Sequence, residues 1–140
     1  MEDWIPFIEI DGDAGFDLRT REEVIINPGC SVVIGTGLRA VMPKGIRIDI
    51  RDKSGIASKM SCYVLAGVVD TGYRGEISVC MRNGSTSTVV FARGSKIAQA
   101  VPVIVPDVCL STITPEDMNL LEDTERGVKG GITGVSATGN

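Results

Sequence analysis

Apolar residues alternate with polar or small ones along most of this chain. Ser31–Val41, Gly45–Arg51 and Gly75–Arg82 follow that period of two, the signature of strands with one buried face. Ser87–Phe91 and Lys96–Val105 are rich in β-branched residues and also read as strands. Turn chemistry separates these runs at short intervals: Asn27-Pro28-Gly29, Pro43-Lys44-Gly45, Asp70-Thr71-Gly72, Asn83-Gly84 and Arg93-Gly94. Many short strands at such spacing predict an all-β, single-domain β-barrel or jelly roll. Ser54–Met60 breaks the alternation and predicts one short helix with Ser54 as its cap. Met118–Glu122 fits either a further helical turn or an edge strand.

Length and composition narrow the class. The 140 residues, 43% hydrophobic and carrying a formal net charge of −4, suit one folded domain and exclude a disordered chain. The longest apolar run, Ala100–Val105, falls far short of the ~18 residues of a membrane span. The acidic start Met1-Glu2-Asp3 is unlike a signal peptide, so an intracellular protein, cytoplasmic or nuclear, is expected, with no membrane partner. The acidic balance also argues against nucleic-acid binding, which needs a basic face.

The chain has no histidine, which removes His bases and His-ligated metals. Cys30, Cys62, Cys80 and Cys109 form no C-x-x-C pair and read as buried free thiols rather than a zinc site. From Arg126 onward, five of fourteen residues to Gly139 are glycine, which predicts a flexible arm over 126–140 behind a folded domain over 1–125. Taken singly, the polar clusters are unspecific. Asp70-Thr71-Gly72 reads as a hairpin turn, and Arg51-Asp52-Lys53 as a solvated loop.

Five segments in order change that picture: Ala14–Leu18, Lys53–Ala57, Gly67–Glu76, Phe91–Gln99 and Arg126–Gly131. Their order and spacing resemble the five motifs of the trimeric dUTP pyrophosphatase (dUTPase) family. The resemblance implies a jelly-roll subunit in a homotrimer whose active sites are shared between subunits. It further implies hydrolysis of dUTP to dUMP and pyrophosphate with Mg²⁺, the arm closing over a neighbour's nucleotide.

The resemblance assigns roles residue by residue. Asp70 becomes the base that takes a proton from the water attacking the α-phosphorus, a role worth ~10²–10⁴-fold. Gln99 lies near that water and the α-phosphate. Main-chain groups of Val64, Gly67 and Val69 read the uracil, close approach accounting for glycine at 67 and 72. Tyr73 lies under the deoxyribose, and Arg74-Gly75-Glu76 support the segment. Lys53, Ser54, Gly55 and Arg126 hold phosphates, Gly131 and Ile132 cover the base, and Asp17 reaches Mg²⁺ through water.

Two departures stand out. Lys53 replaces the family's arginine, losing a planar fork that Arg51 could supply from two positions upstream. Ile132 stands where relatives place a phenylalanine, and base–aromatic stacking is worth ~1–3 kcal/mol, so weaker nucleotide binding is expected. The competing readings are a non-catalytic nucleotide-sensing or regulatory protein on this fold and a dCTP deaminase. Deamination would need a glutamate where Cys80 stands.

Overall fold

The computed structural model describes residues 12–121. The chain divides into two units, residues 1–107 and 108–140. The first contains β1 (Phe16–Arg19), β2 (Val24–Ile26), β3 (Ser31–Gly35), β4 (Ile46–Arg51), α1 (Ser54–Met60), β5 (Cys62–Leu65), β6 (Val68–Val69), β7 (Ser78–Asn83), β8 (Val89–Phe91) and β9 (Lys96–Ile104). In the second, α2 (Pro115–Asn119) takes in Met118 and Asn119 of the undecided segment, while Leu120 is a turn, Leu121 a bend and Glu122 lies outside the described residues. Thr114 caps the helix through the Asp117 amide, and Pro115 opens it. The expected arm over 126–140, with Arg126, Gly131 and Ile132, lies outside the described residues.

Three antiparallel sheets form the β unit, with strand orders β1-β9-β4-β6, β2-β8 and β3-β7-β5. All three feed one apolar core, including Leu18, Ile26, Ile34, Ile48, Ile50, Val79, Met81 and Ile97. This is the all-β class that the alternation predicts. Pro102 sits inside β9 opposite Ile48, beyond the last β1 pairing at Ala100, so its missing amide proton falls where that edge is open. Among the described residues no helix is long and apolar enough to cross a membrane.

The structure amends several expectations. The strand read over Ser31–Val41 ends at Gly35, because Gly37 turns to φ 74° and Thr36 and Gly37 bond instead to Ile77 and Glu76. The cap of α1 is Lys53, not Ser54; Lys53 has extended backbone and makes no side-chain cap because an ammonium has no acceptor for the helix amides, and its Nζ is instead paired with Asp17. The segment around Asp70 is not a hairpin. β6 pairs with β4 while β7 pairs with β3 and β5, so Asp70–Ile77 is a link between two sheets. All four cysteines are free, but only Cys62 is buried; Cys30 and Cys109 are exposed. Burial pushes the Cys62 thiol up from its ordinary pKa.

Candidate active site

Most expected site residues of the β unit line two clefts, both served by the sheet that β4 and β9 centre. Val64 and Gly67 line a third, of about 270 Å³, with Asp49, Ile50, Arg51, Asp52 and Val68, and Ser54 and Gly55 stand at the start of α1. The first, of about 280 Å³, is lined by Asp13, Ala14, Gly15, Asp17, Lys53, Lys96 and Gln99. Strand register assembles it: Asp17 of β1 opposes Gln99 of β9, and Gln99 opposes Arg51 of β4. Gly15 brings β1 close to β9, since a Cβ there would collide with the Ala100 carbonyl. Lys53 Nζ bridges to Asp17 Oδ1, and Lys96 Nζ reaches Asp17 Oδ2 at 2.9 Å. Burial pushes the Asp17 pKa up, but the hydrogen bonds and charges of both lysines outweigh it and hold the carboxyl below its ordinary range.

Around this cluster the segment read as a solvated loop does structural work. Gln99 Nε2 donates to the Asp52 carbonyl at 2.8 Å, which leaves the Gln99 amide oxygen directed elsewhere. Asp52 Oδ1 accepts from the Val64 amide at 2.6 Å, so that amide is committed and only the Val64 carbonyl stays open to a ligand. Arg51 points to Asp49 at 3.7 Å and not toward the Asp17 pair; Asp49 also takes Arg47 Nε at 2.9 Å. At the start of α1, the first amides to bond back are those of Ile56 and Ala57, both to Lys53 O. The Ser54 and Gly55 amides thus stand at the open end, and a Cβ on Gly55 would meet nothing within 4 Å.

The second cleft, of about 190 Å³, is lined by Ile50, Ala66, Val68, Val69, Asp70, Tyr73, Glu76, Ile77 and Ser78. Its floor is fixed by main-chain contact. Ile50 N donates to Gly67 O at 2.6 Å, and a Cβ on Gly67 would strike the Ile50 carbonyl. Glycine at 67 is therefore required by close approach. Gly72 is not, because a Cβ there would meet nothing within 4 Å. The Ile50–Gly67 bond also sets the pairing phase. Gly67 and Val69 face β4 with their main chain, while Val68 turns its N–H and C=O to the free edge of β6. Val69 lines the cleft, yet the residue is only 8% exposed and its main chain faces β4, so Val68 and not Val69 offers open main-chain groups.

Asp70 opens a turn closed by Tyr73 N to Asp70 O at 3.0 Å. Thr71 Oγ1 ties the turn to Ile46 O, and Arg74 Nη1 donates to the carbonyls of Thr71 and Tyr73. Arg39 Nε in turn donates to Arg74 O at 2.6 Å. Arg74 thus supports the turn, as expected. Tyr73 is 46% exposed and anchors its hydroxyl on Glu76 O; its ring covers Gly75, where a Cβ would overlap the phenol.

Lys96, Asp52, Val68, Ile77 and Ser78 were not picked out from the sequence. Lys96 was visible inside the Phe91–Gln99 segment, but nothing local marks it as a partner of Asp17. The others are ordinary strand and turn residues until β6 and β7 are placed in different sheets.

Comparison with known proteins gives this geometry its context. Residues 4–134 match the family model for dUTPase. The deoxyuridine 5'-triphosphate nucleotidohydrolase of Nautilia profundicola is 43% identical over 137 residues, covering 96% of this chain and 93% of the relative. The crystal structure of the Streptococcus mutans dUTPase superposes with a TM-score of 0.72 at 27% identity, covering 78% of this chain and 91% of that one. A dUTPase mutant from phage phi11 of S. aureus, described as coordinating a structural Mg(II) ion, shares the fold with a TM-score of 0.73 at 23% identity, over 78% and 88% of the two chains. A family match over nearly the whole length, a relative this similar and two clefts at the expected segments have one meaning: the chain belongs to the dUTPase family.

Proposed function

We propose that this protein hydrolyses dUTP to dUMP and pyrophosphate by attack of water on the α-phosphorus. The observation that carries this reading is the polar cleft in which Lys53, Lys96 and Gln99 gather around Asp17 at the open end of α1. The Lys53 ammonium and the unpaired amides there suit a polyphosphate. Gln99, held by one amide N–H on the Asp52 carbonyl, offers its oxygen to orient a water. The second cleft suits the nucleoside. Its apolar walls of Ile50, Val68 and Ile77 enclose a volume sized for a single ring, and the open main-chain edge at Val68 provides a donor and an acceptor. Tyr73 stacks its ring against the sugar and excludes a 2′-hydroxyl, and Asp70 acts as the base toward water.

Asp70 and Gln99 stand far apart within one chain. Val69 pairs with Ile48 and Gln99 with Arg51, two strands and three rungs apart, a separation of roughly 14 Å by strand geometry. Asp70 and Gln99 of one chain therefore cannot hold the same water. That separation supports a homotrimer in which each site joins the Asp70 cleft of one subunit to the Asp17 cleft of another, with the 126–140 arm closing over the nucleotide.

Mg²⁺ fits the residues present. Each oxygen of Asp17 accepts from one lysine and keeps a further lone pair, so the carboxylate can receive ion-bound waters. No group of three acidic, His or Cys side chains gathers as a cage among the described residues. Such a donor set suits an ion that retains its waters and takes its other ligands from phosphates. When bound, the ion neutralises charge on the phosphates. Turnover of dUTP, dTTP, dCTP and UTP with Mg²⁺, followed by pyrophosphate release, tests the reading. Preference for dUTP is expected; binding without hydrolysis would favour a nucleotide-sensing role, and ammonia from dCTP a deaminase.

A further inference from the structure

Lys96 and Gln99 lie three residues apart on β9, a spacing that puts side chains on opposite faces of a regular strand. Here both line the same cleft. The cause is a bulge: Leu18 opposes Ala98 and Arg19 opposes Lys96, so Ile97 has no partner on β1. Ile97 and Ala98 are both fully buried, the break in alternation that such an extra residue produces. It swings the Lys96 ammonium onto the site face, to 2.9 Å from Asp17 Oδ2.

We infer that Lys96 is a positioning residue of the phosphate cleft: delivered by the β9 bulge, it fixes the Asp17 carboxylate, and Asp17 in turn holds Lys53 toward the phosphates. This rests on the phosphate reading of the cleft above. Register places Lys96 behind Asp17, opposite Arg19, whereas Lys53 follows the β4 end that Gln99 opposes and precedes the open amides of α1. Lysine has among the largest rotamer freedoms of any side chain. A carboxylate gripped on one oxygen alone can swing with that lysine. Gripped on both oxygens from two directions, it becomes a fixed post, and Lys53 is confined with it.

The test uses the full-length protein with Lys96→Met, Lys96→Arg, Lys53→Met and the Lys96→Met/Lys53→Met double variant. Steady-state dUTP hydrolysis and calorimetric titration with inorganic pyrophosphate, both with Mg²⁺, are the readouts. Lys96→Met should raise KM and weaken pyrophosphate binding about tenfold while kcat changes less than about twofold. Lys96→Arg should restore both, and the double variant should be no worse than Lys53→Met. Effects that multiply in the double variant would show Lys96 acting independently of Lys53 and would overturn the inference, as would an unchanged KM in Lys96→Met. If Lys96→Met does not fold, Lys96→Arg decides: wild-type KM and pyrophosphate affinity support the inference, and loss of either sinks it. A wild-type protein that binds pyrophosphate without hydrolysing dUTP would end the hydrolase reading alone, because the titrations still decide this one.

Discussion

The two clefts are built by different physics. The Asp17 cleft is held by side chains, a carboxylate shared by two lysines from β9 and from the residue before α1. The Asp70 cleft is held by main chain: a close pass of Gly67 over Ile50, a turn closed on Asp70 O, and arginines that donate to carbonyls. Ion pairs tolerate small displacements and respond to pH and salt, whereas main-chain packing is stiff and answers mainly to volume. A polyphosphate that must enter and leave suits the first; a base that must be recognised by shape suits the second.

The strongest test of this contrast removes chemistry from the stiff cleft without touching its packing. Asp70→Asn should lower kcat for dUTP by ~10²–10⁴ while the melting temperature stays near wild type, measured by steady-state kinetics and thermal unfolding. Unchanged turnover would remove Asp70 from the mechanism. Gly67→Ala probes the packing itself. Its new Cβ meets the Ile50 carbonyl, which cannot retreat without breaking β4, so a loss of about 3 kcal/mol in denaturant unfolding is expected.

Acid should separate the clefts in the other direction. The Asp17 carboxyl titrates lower in the folded protein than in the unfolded chain, so its contribution is present in full above the unfolded value. It is lost as pH falls through the folded value, below about pH 4. Thermal unfolding followed from pH 6 to pH 3 should therefore drop less steeply for Asp17→Asn than for wild type. Asp49, lowered mainly by its hydrogen bond from Arg47, adds to the wild-type slope in the same direction and persists in the variant. The smallest effect belongs to Ala66, a non-glycine residue at φ 54° in the wall of the Asp70 cleft. Ala66→Gly should relieve strain and change unfolding free energy by no more than about 1 kcal/mol. A large loss would mean that the Ala66 methyl itself packs the base cleft.

Much of this protein could be read without coordinates. The alternation located β4, the β-branched runs located β8 and β9, and the Asn27–Gly29, Pro43–Gly45 and Arg93–Gly94 signals each became a turn, with glycine at positive φ. The helix ends at Met60 as expected and begins one residue early, with Ser54 its first residue instead of its cap. These features depend on neighbours a few residues away, and local backbone preference is enough to specify them. The site was legible only in part. Asp17, Lys53, Asp70, Tyr73 and Gln99 stood out through the order of their segments, and the structure gathers Asp17, Lys53 and Gln99 in one cleft and Asp70 and Tyr73 in another.

What the sequence determined by itself was the longer strands, the turns and the residue types that carry chemistry, because period and turn propensity act over short range; the short strands β2, β5 and β6 took shape only through pairing. The tertiary structure decided which of those residues meet. A single unpaired residue, Ile97, reverses the face on which Lys96 emerges, and the assignment of β6 and β7 to different sheets makes Asp70–Ile77 a wall instead of a hairpin tip. Both follow from register and sheet pairing between distant segments, which are set by burying one common core rather than by any local signal.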